Sequence, residues 1–551
     1  MLLIFFKIFF TVTALFIYGY NLNHILKFHE ENNFITILKG IILAGFISLL
    51  VNFILPLNII VNSIISLILF VYFFIIKKKI NWKKCLFNLI SISISTFILI
   101  IYSNGFEPDM SMYHLPYTYN INNEKIIIGL SNIHFRFGII SILQYINAFN
   151  LNLVNGISGV IFTSGIVVST FFVFLISEFL IEIKKRNTHT VFLILLLISI
   201  VSFRFSRYSD FGNDAVGHIF FYLLIYCLIK MENLKTIYQN KSINIFIIFL
   251  CMQKVFYMYL LLIPILSFIL EYKNKRKYII DLSSIFAFIY IFLWIIKSIF
   301  ISGCMVYPVQ KTCFKSLEWY EADTKKYPNP KIVSLEGEAW AKNWNKNKTN
   351  LEMNRYIENF NWFSTWKSDH LIYLINKISF IIVFVFILAV IKINFYKKKL
   401  FLLFNEISAL YQSKNFILSL TVSILGLLLW VFKFPIFRYG NGFILSTFIL
   451  AALPLVNNYQ IKKDKMIIIM IIFVSIFYLK NLHRIYLDHE TNPNLHKVEK
   501  STFKKINKND IDFYLHENSC GYSKLLCTHY YESLKNIDII KKFNYLIISN
   551  K

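Results

Sequence analysis

Glu107, Asp109 and His114 stand close together in the stretch GFEPDMSMYHLP. Two carboxylates and an imidazole at this spacing can move a proton or hold a divalent cation, Mg or Mn. They follow an apolar run, Cys85 to Asn104. A carboxylate beside low dielectric binds its proton more tightly, which suits a general base acting on a hydroxyl. The plainer alternative is a solvated loop whose acids pair with Lys125 or Arg136. Pro108 and Pro116 fix local turns and deny a continuous helix. The residues between them fit a short surface helix on which Asp109, Tyr113 and Pro116 share a face. Asn132, His134 and Arg136 follow, alternating as in an extended segment.

Three further polar sets interrupt apolar sequence. In RYSDFGNDAVGH, Asp210, Asp214 and His218 recur at i, i+4 and i+8. One helix face could present all three, although a capped turn reads equally well. FKFPIFRYGNG holds Lys433, Arg438 and Tyr439. An arginine there can grip a phosphate with its fork or snorkel to headgroups. Lys254 breaks an apolar stretch at CMQKVFYMY, where a lysine is costly without a partner or a cavity.

The elements that must carry these residues are membrane spans. The chain has 551 residues, 57% hydrophobic, 18% aromatic and 16% charged. Its mean hydropathy is +0.58. Soluble domains are nearer half apolar and a quarter charged. Several runs are long enough to cross a ~30 Å hydrocarbon core. The net charge of +27 comes largely from clusters between those runs, such as Lys77–Lys79, Lys184–Arg186, Lys273–Lys277, Lys397–Lys399 and Lys462–Lys465. Short basic loops mark the cytoplasmic side and meet anionic headgroups, so nucleic acid is not the expected partner. Counting crossings between the clusters gives an all-α polytopic membrane protein of about 13–14 transmembrane helices. Segment 243–272 reads as a hairpin of two short spans broken at Gln253 and Lys254.

Residues 1–76 form an N-terminal helical unit of about three spans. Residues 77–480 form the core, with outer loops 105–138 and 302–370. Residues 481–551 form a small external segment. Four of the seven cysteines make two close pairs in external segments, which points to disulfides Cys304–Cys313 and Cys520–Cys527 on an oxidising side. Cys520 and Cys527 lack the spacing of a zinc site. No phosphate-cradling, dinucleotide, zincin or hydrolase signature is present.

An apolar helix, an outer acidic motif and many further spans resemble the GT-C superfamily of membrane glycosyltransferases, with Glu107-Pro108-Asp109 as its E-x-D. DMSMYHLP with NIHFRFG, SGCMVYPVQKTCF, EAWAKNW and PIFRYGNGF resemble a poorly characterised family of bacterial multi-pass proteins grouped with those enzymes by fold. This closer likeness spans roughly residues 100–530. The three spans ahead of the acidic loop depart from the superfamily pattern as an added unit. The resemblance implies a GT-C-like fold and a polyprenyl-phosphate sugar donor among the membrane lipids. It implies an acceptor hydroxyl on a lipid-linked glycan, lipid or protein at the outer face of a bacterial inner membrane.

It implies Asp109 as base, Glu107 and His114 as orienting or metal-holding groups, and Arg136, Arg438 and Lys254 on the donor phosphate. His134, Asp210 and Asp214 are further outer-face candidates. A glycolipid transporter or flippase is the alternative from another class. A glycan polymerase or ligase is a third reading.

Overall fold

The computed structural model describes residues 1–28, 32–77, 80–103, 109–139, 141–153, 156, 158–203, 212–231, 241–270, 281–321, 329–344, 350–395, 413–456, 463–492 and 495. In the C-terminal segment it describes 504–509, 511–515, 520, 526–528 and 537–550. Glu107 and Asp210 lie outside the described residues, as do the basic clusters at 273–277 and 397–399.

Apolar, β-branched-rich runs without interior proline make α1 (Leu2–Ile25), α2 (Asn33–Asn52), α3 (Ile59–Ile76) and α4 (Trp82–Ile100). The Asn32, Asn58 and Asn81 side chains cap the last three by accepting from backbone N–H groups of the first turn. α1 and α2 touch at backbone distance. A Cβ on Gly19 would sit 1.7 Å from the Thr36 carbonyl oxygen, and one on Gly40 1.8 Å from that of Leu15. Without a hydrophobic drive between helices in lipid, such small-residue contacts give association its dispersion energy.

The acidic loop differs from the sequence expectation. Met110–His114 is one π-helical turn that runs without interruption into α5 (Leu115–Asn123). Pro116 does not end it, because it occupies the first turn of α5, where its missing N–H costs nothing. The Leu115 N–H reaches back to the Met110 carbonyl, which closes the wide turn. The expected extended alternation at Asn132, His134 and Arg136 is also replaced. Short 3-10 turns, Leu130–Asn132 and Phe135–Ile139, follow the left-handed Gly129.

Next come α6 (Ile142–Leu153), α7 (Ser158–Lys184), α8 (Thr188–Phe203), α9 (Asp214–Lys230) and α10 (Lys241–Gln253). α10 stops at Lys254, whose backbone is extended. A 3-10 run Val255–Leu261 then leads into α11 (Leu262–Leu270). The remaining helices are α12 (Leu282–Ser302), α13 (Pro330–Ala341), α14 (Asn350–Glu358), α15 (Trp362–Trp366) and α16 (Ile372–Phe395), then α17 (Lys414–Lys433), α18 (Phe437–Val456) and α19 (Lys463–Asp488).

The chain turns back at Lys254. Phe256 packs on Phe434 just past the end of α17, and Tyr259 donates to the Val422 carbonyl further down the same helix. At the other end Lys241 bonds Asp281 just before α12.

Among the described residues, nine helices are long and apolar enough to cross a membrane. They are α1–α4, α7, α12, the continuous run Trp362–Ile387, α17 and α19. The chain is a helical multi-pass membrane protein. The nine fall below the expected thirteen or fourteen because runs such as α8, with 16 residues, and α10, with 13, make short helices.

The C-terminal segment departs from all-α. Strands β1 (Lys504–Lys508), β2 (Ile511–Leu515) and β3 (Cys527–Thr528) form one small sheet, antiparallel then parallel. β4 (Ile537–Lys542) and β5 (Tyr545–Asn550) form a hairpin. Their isoleucines and Tyr545 favour strands, and Phe543 and Asn544, at φ 50 and 60, supply the left-handed two-residue turn. β5 docks on the core. Ile548 and Ile128 exchange backbone bonds through the Ile548 N–H at 2.9 Å and the Ile128 N–H to the Leu546 carbonyl, also 2.9 Å. A Cβ on Gly129 would lie 1.9 Å from the Ile548 carbonyl oxygen, so glycine is required for this approach. Disulfides join Cys304 to Cys313 and Cys520 to Cys527.

Candidate functional site

Five charged side chains from distant segments converge at one end of the bundle. Asp109 opens the π turn. Its Oδ1 accepts from Arg136 Nη1 at 3.2 Å and its Oδ2 from Arg438 Nη1 at 3.3 Å. Arg438 then reaches the second carboxylate, its Nε lying 3.4 Å from Asp214 Oδ2. Lys254 closes the chain by bonding Asp214 Oδ1. Among the described residues, three cations face two carboxylates, leaving one positive charge in excess. Asp214 and Lys254 side chains are 18% exposed, Asp109 19%, and Arg438 22%, so Coulomb terms are less screened here than on an open surface.

Each member has a local reason for its place. Asp214 sits in the first turn of α9, where the helix dipole favours a carboxylate. The Asn213 amide donates to the Gln253 carbonyl at 3.1 Å and ties that turn to the break before Lys254. Arg438 begins α18 behind two carbonyls held by indoles. Trp366 Nε1 donates to the Pro435 carbonyl at 2.5 Å and Trp430 Nε1 to the Ile436 carbonyl at 2.7 Å. Arg438 Nη2 also donates to the Tyr439 hydroxyl at 2.9 Å. Lys254 lies 4.2 Å from the Tyr439 ring centre, and the Arg136 guanidinium 4.9 Å from that of Tyr113. Burial pushes the Tyr113 phenol well above its usual range, so it stays protonated.

Three histidines support the cluster from behind. The Gln144 amide lies 2.7 Å from His114 Nδ1, and Ser141 donates to Gln144 Oε1, so the amide donates and His114 carries its proton on Nε2. His218 Nδ1 accepts from the Gly442 N–H at 3.2 Å, and its Nε2 donates to the Arg438 carbonyl at 2.8 Å. His134 Nδ1 accepts from the Arg136 N–H at 3.1 Å. His114 and His134 are thus bonded to side-chain and backbone groups around Asp109 rather than to its carboxylate.

Burial holds the His114 imidazole down at about 4 instead of 6.5, with Asp109 and Asp214 opposing weakly. A histidine depressed in the fold favours the unfolded state once it is charged. Its contribution is therefore fully present above about 6.5 and lost as pH falls from there toward 4. We expect His114→Gln to flatten the acid limb of thermal stability between those values, measured in detergent. An unchanged acid limb would mean that His114 does not titrate as its burial dictates.

The described residues do not suit a divalent cation at Asp109. Both its oxygens meet guanidiniums, and no group of three His, Cys, Asp or Glu converges among the described residues. Glu107, the second expected ligand, lies outside them.

A cavity of about 430 Å³ opens beside Arg438. One wall is Asp214, His218, Arg438 and Asn441. The other is Asp369, His370, Tyr373 and Lys377, which the sequence reading passed over. The signal was present: WKSDH is a polar knot at the head of an apolar run, and Lys377 lies within that run.

α19 supplies a second unforeseen feature. Arg484 donates from Nη1 to the Ile101 carbonyl at 2.9 Å, and from Nη2 to those of Ile98 at 2.9 Å and Leu99 at 3.3 Å. One turn earlier, Lys480 donates to the Ser202 carbonyl at 2.7 Å. These cations complete the C-terminal ends of α4 and α8, the helices that lead toward Asp109 and Asp214. Arg484→Met should cost about 1.5–3 kcal/mol, the usual worth of a charged hydrogen bond, and lower thermal stability more than Lys480→Met, which frees one carbonyl. Equal melting temperatures for wild type and Arg484→Met would contradict the capping role.

This geometry defines a helical multi-pass membrane protein with a charge-bridged site beside a cavity at one end of its bundle. The chain belongs to the family described as Domain of unknown function (DUF8201), which matches residues 1–445. That match contains all five members of the cluster. No curated protein and no solved structure matches the chain.

Proposed function

We propose that the protein is a GT-C-like glycosyltransferase of a bacterial inner membrane. It transfers sugar from a polyprenyl-phosphate donor to a hydroxyl of a lipid-linked glycan, lipid or protein at the outer face. The observation that carries this reading is Arg438 bridging Asp109 and Asp214 at the edge of a cavity. A carboxylate able to accept a proton and cations able to accept a phosphate stand on one side chain's reach.

The step balances as a displacement. The acceptor oxygen forms a bond to the anomeric carbon while the bond from that carbon to the phosphate oxygen breaks. The leaving phosphate keeps the electron pair and gains negative charge. Arg438, Lys254 and Arg136 offset that charge, and Arg438 can grip two oxygens with its fork. Phosphate on Arg438 frees Asp109 Oδ2, which then takes the acceptor proton. Asp214 keeps Lys254 and Arg438 in place between turnovers.

Two features support the outer face. β5 pairs beside Ile128, so the C-terminal segment shares a side with the loop carrying Arg136. The two disulfides belong to segments on that side, and disulfides persist where it is oxidising. Cells with and without the gene should differ in one glycan or glycolipid by the mass of a sugar. Identical surface glycans and glycolipids by mass spectrometry would remove the proposal.

A further inference from the structure

Lys377 stands where a lysine is expensive. It belongs to the continuous helical run Trp362–Ile387, one of the nine helices able to cross a membrane. It lies two turns, about 12 Å, along the helix from Asp369. Its neighbours on that helix include the exposed Ile372, Tyr373 and Ile375, which is the surface that meets acyl chains in a bilayer. Among the described residues no carboxylate pairs with Lys377. Its ammonium lies 5.0 Å from the Tyr373 ring centre and borders the cavity that Arg438 borders from the other wall. The carboxylates of the same cavity are committed elsewhere. Asp214 holds Lys254 and Arg438, and Asp369 accepts from Asn343 and Ser368. A cation in an apolar span with no carboxylate partner among the described residues points to an anionic ligand.

We infer that this cavity seats the phosphate headgroup of a lipid, held between Lys377 and Arg438, with the lipid's tail leaving along α16. One wall is α16 with the turn before it, the other the starts of α9 and α18, and Tyr373 meets Phe437 edge-on with ring centres 6.0 Å apart. Lys377 lies two turns further into the apolar run than Asp369. A lipid reaches it sideways. The ligand chemistry is a phosphate monoester or diester on a long apolar chain. This deepens the proposed glycosyl transfer by adding a residue to the lipid-phosphate site, but binding is measurable without turnover.

The test uses the full-length protein in phosphatidylcholine nanodiscs and a labelled polyprenyl monophosphate as probe. Wild type should bind saturably. Lys377→Gln should weaken binding about tenfold, equivalent to ~1.4 kcal/mol, and Lys377→Arg should restore most of it. Lys433→Gln, whose ammonium is committed to Glu338 outside the cavity, should bind as wild type does. Should Lys377→Gln fail to fold, amine modification of Lys377 in the wild type replaces it, and the probe should slow that reaction. Binding unchanged by Lys377→Gln, or labelling unaffected by the probe, overturns the inference. Competition by inorganic phosphate as effective as by the lipid overturns the lipid part, as does equal competition by phosphatidylglycerol. Sugar transfer without any role for Lys377 would sink this inference alone. Tight binding without transfer to any acceptor would sink the proposed reaction alone.

Discussion

Asp109→Asn is expected to lower sugar transfer by about 10²–10⁴-fold at matched expression, the usual share of a general base. Asparagine keeps the shape but only one acceptor oxygen, so one of Arg136 and Arg438 retains its partner, and it cannot take the acceptor proton. Donor binding should therefore persist, and the loss should fall on kcat. Two guanidiniums on one carboxylate, at 3.2 and 3.3 Å, also make Asp109 a structural anchor. The two roles separate by measurement. An anchor alone predicts loss of thermal stability in step with activity, whereas a base predicts a folded, donor-binding and inert protein. Transfer near the wild-type rate in Asp109→Asn would leave the carboxylate only its anchoring role.

Asp214→Ala should have the largest effect on stability, about 3–5 kcal/mol. Removing Asp214 strips Lys254 of its carboxylate and Arg438 of one of its two, leaving largely buried positive charge without its full complement. The pair's net worth is far smaller than that cost, because burying both charges was itself unfavourable. The double variant Asp214→Ala with Lys254→Ala should therefore recover part of the loss. Arg438→Lys is expected to behave differently. It keeps the charge, but an ammonium cannot span Asp109 and Asp214 together, so donor affinity should fall more than stability. Chemical or thermal unfolding in one detergent, alongside donor binding, reads all three. Additive losses in the double variant would contradict the coupling of Asp214 to Lys254.

How much of this was legible in sequence depends on the kind of signal. Asp109, Arg136, Asp214, Lys254 and Arg438 each interrupt apolar sequence, and a charge in such a setting is visible by its cost alone. Their pairing was not visible. Arg438 meets Asp109 across 329 positions, and only helix packing brings them together. Lys254 was legible as a break because no other charge stands near it, whereas its bond to Asp214 was not. Lys377 and the polar knot ahead of it were overlooked because one lysine hardly changes the hydropathy of so long a run. Arg484 and Lys480 read as basic residues near the end of a span. Their work on the carbonyls of α4 and α8 depends on backbone ends that sequence does not display. The short helix after Asp109 was legible, but its continuation through Pro116 was not, because proline was weighed as a breaker rather than as a first-turn residue. The C-terminal strands are short, with apolar residues in broken runs such as IDIIKK and YLIISN, a weak signal beside the strong hydropathy of the core.

Reconstituted protein supplied with a polyprenyl-phosphate sugar and a crude envelope-lipid acceptor tests the central claim most directly. Glycosyl transfer breaks the bond between sugar and phosphate, while a flippase leaves it intact. The account predicts that free polyprenyl phosphate accumulates mole for mole with glycosylated acceptor, in wild type and not in Asp109→Asn. Donor that crosses to the other leaflet with its sugar still attached, and no free polyprenyl phosphate, would contradict it.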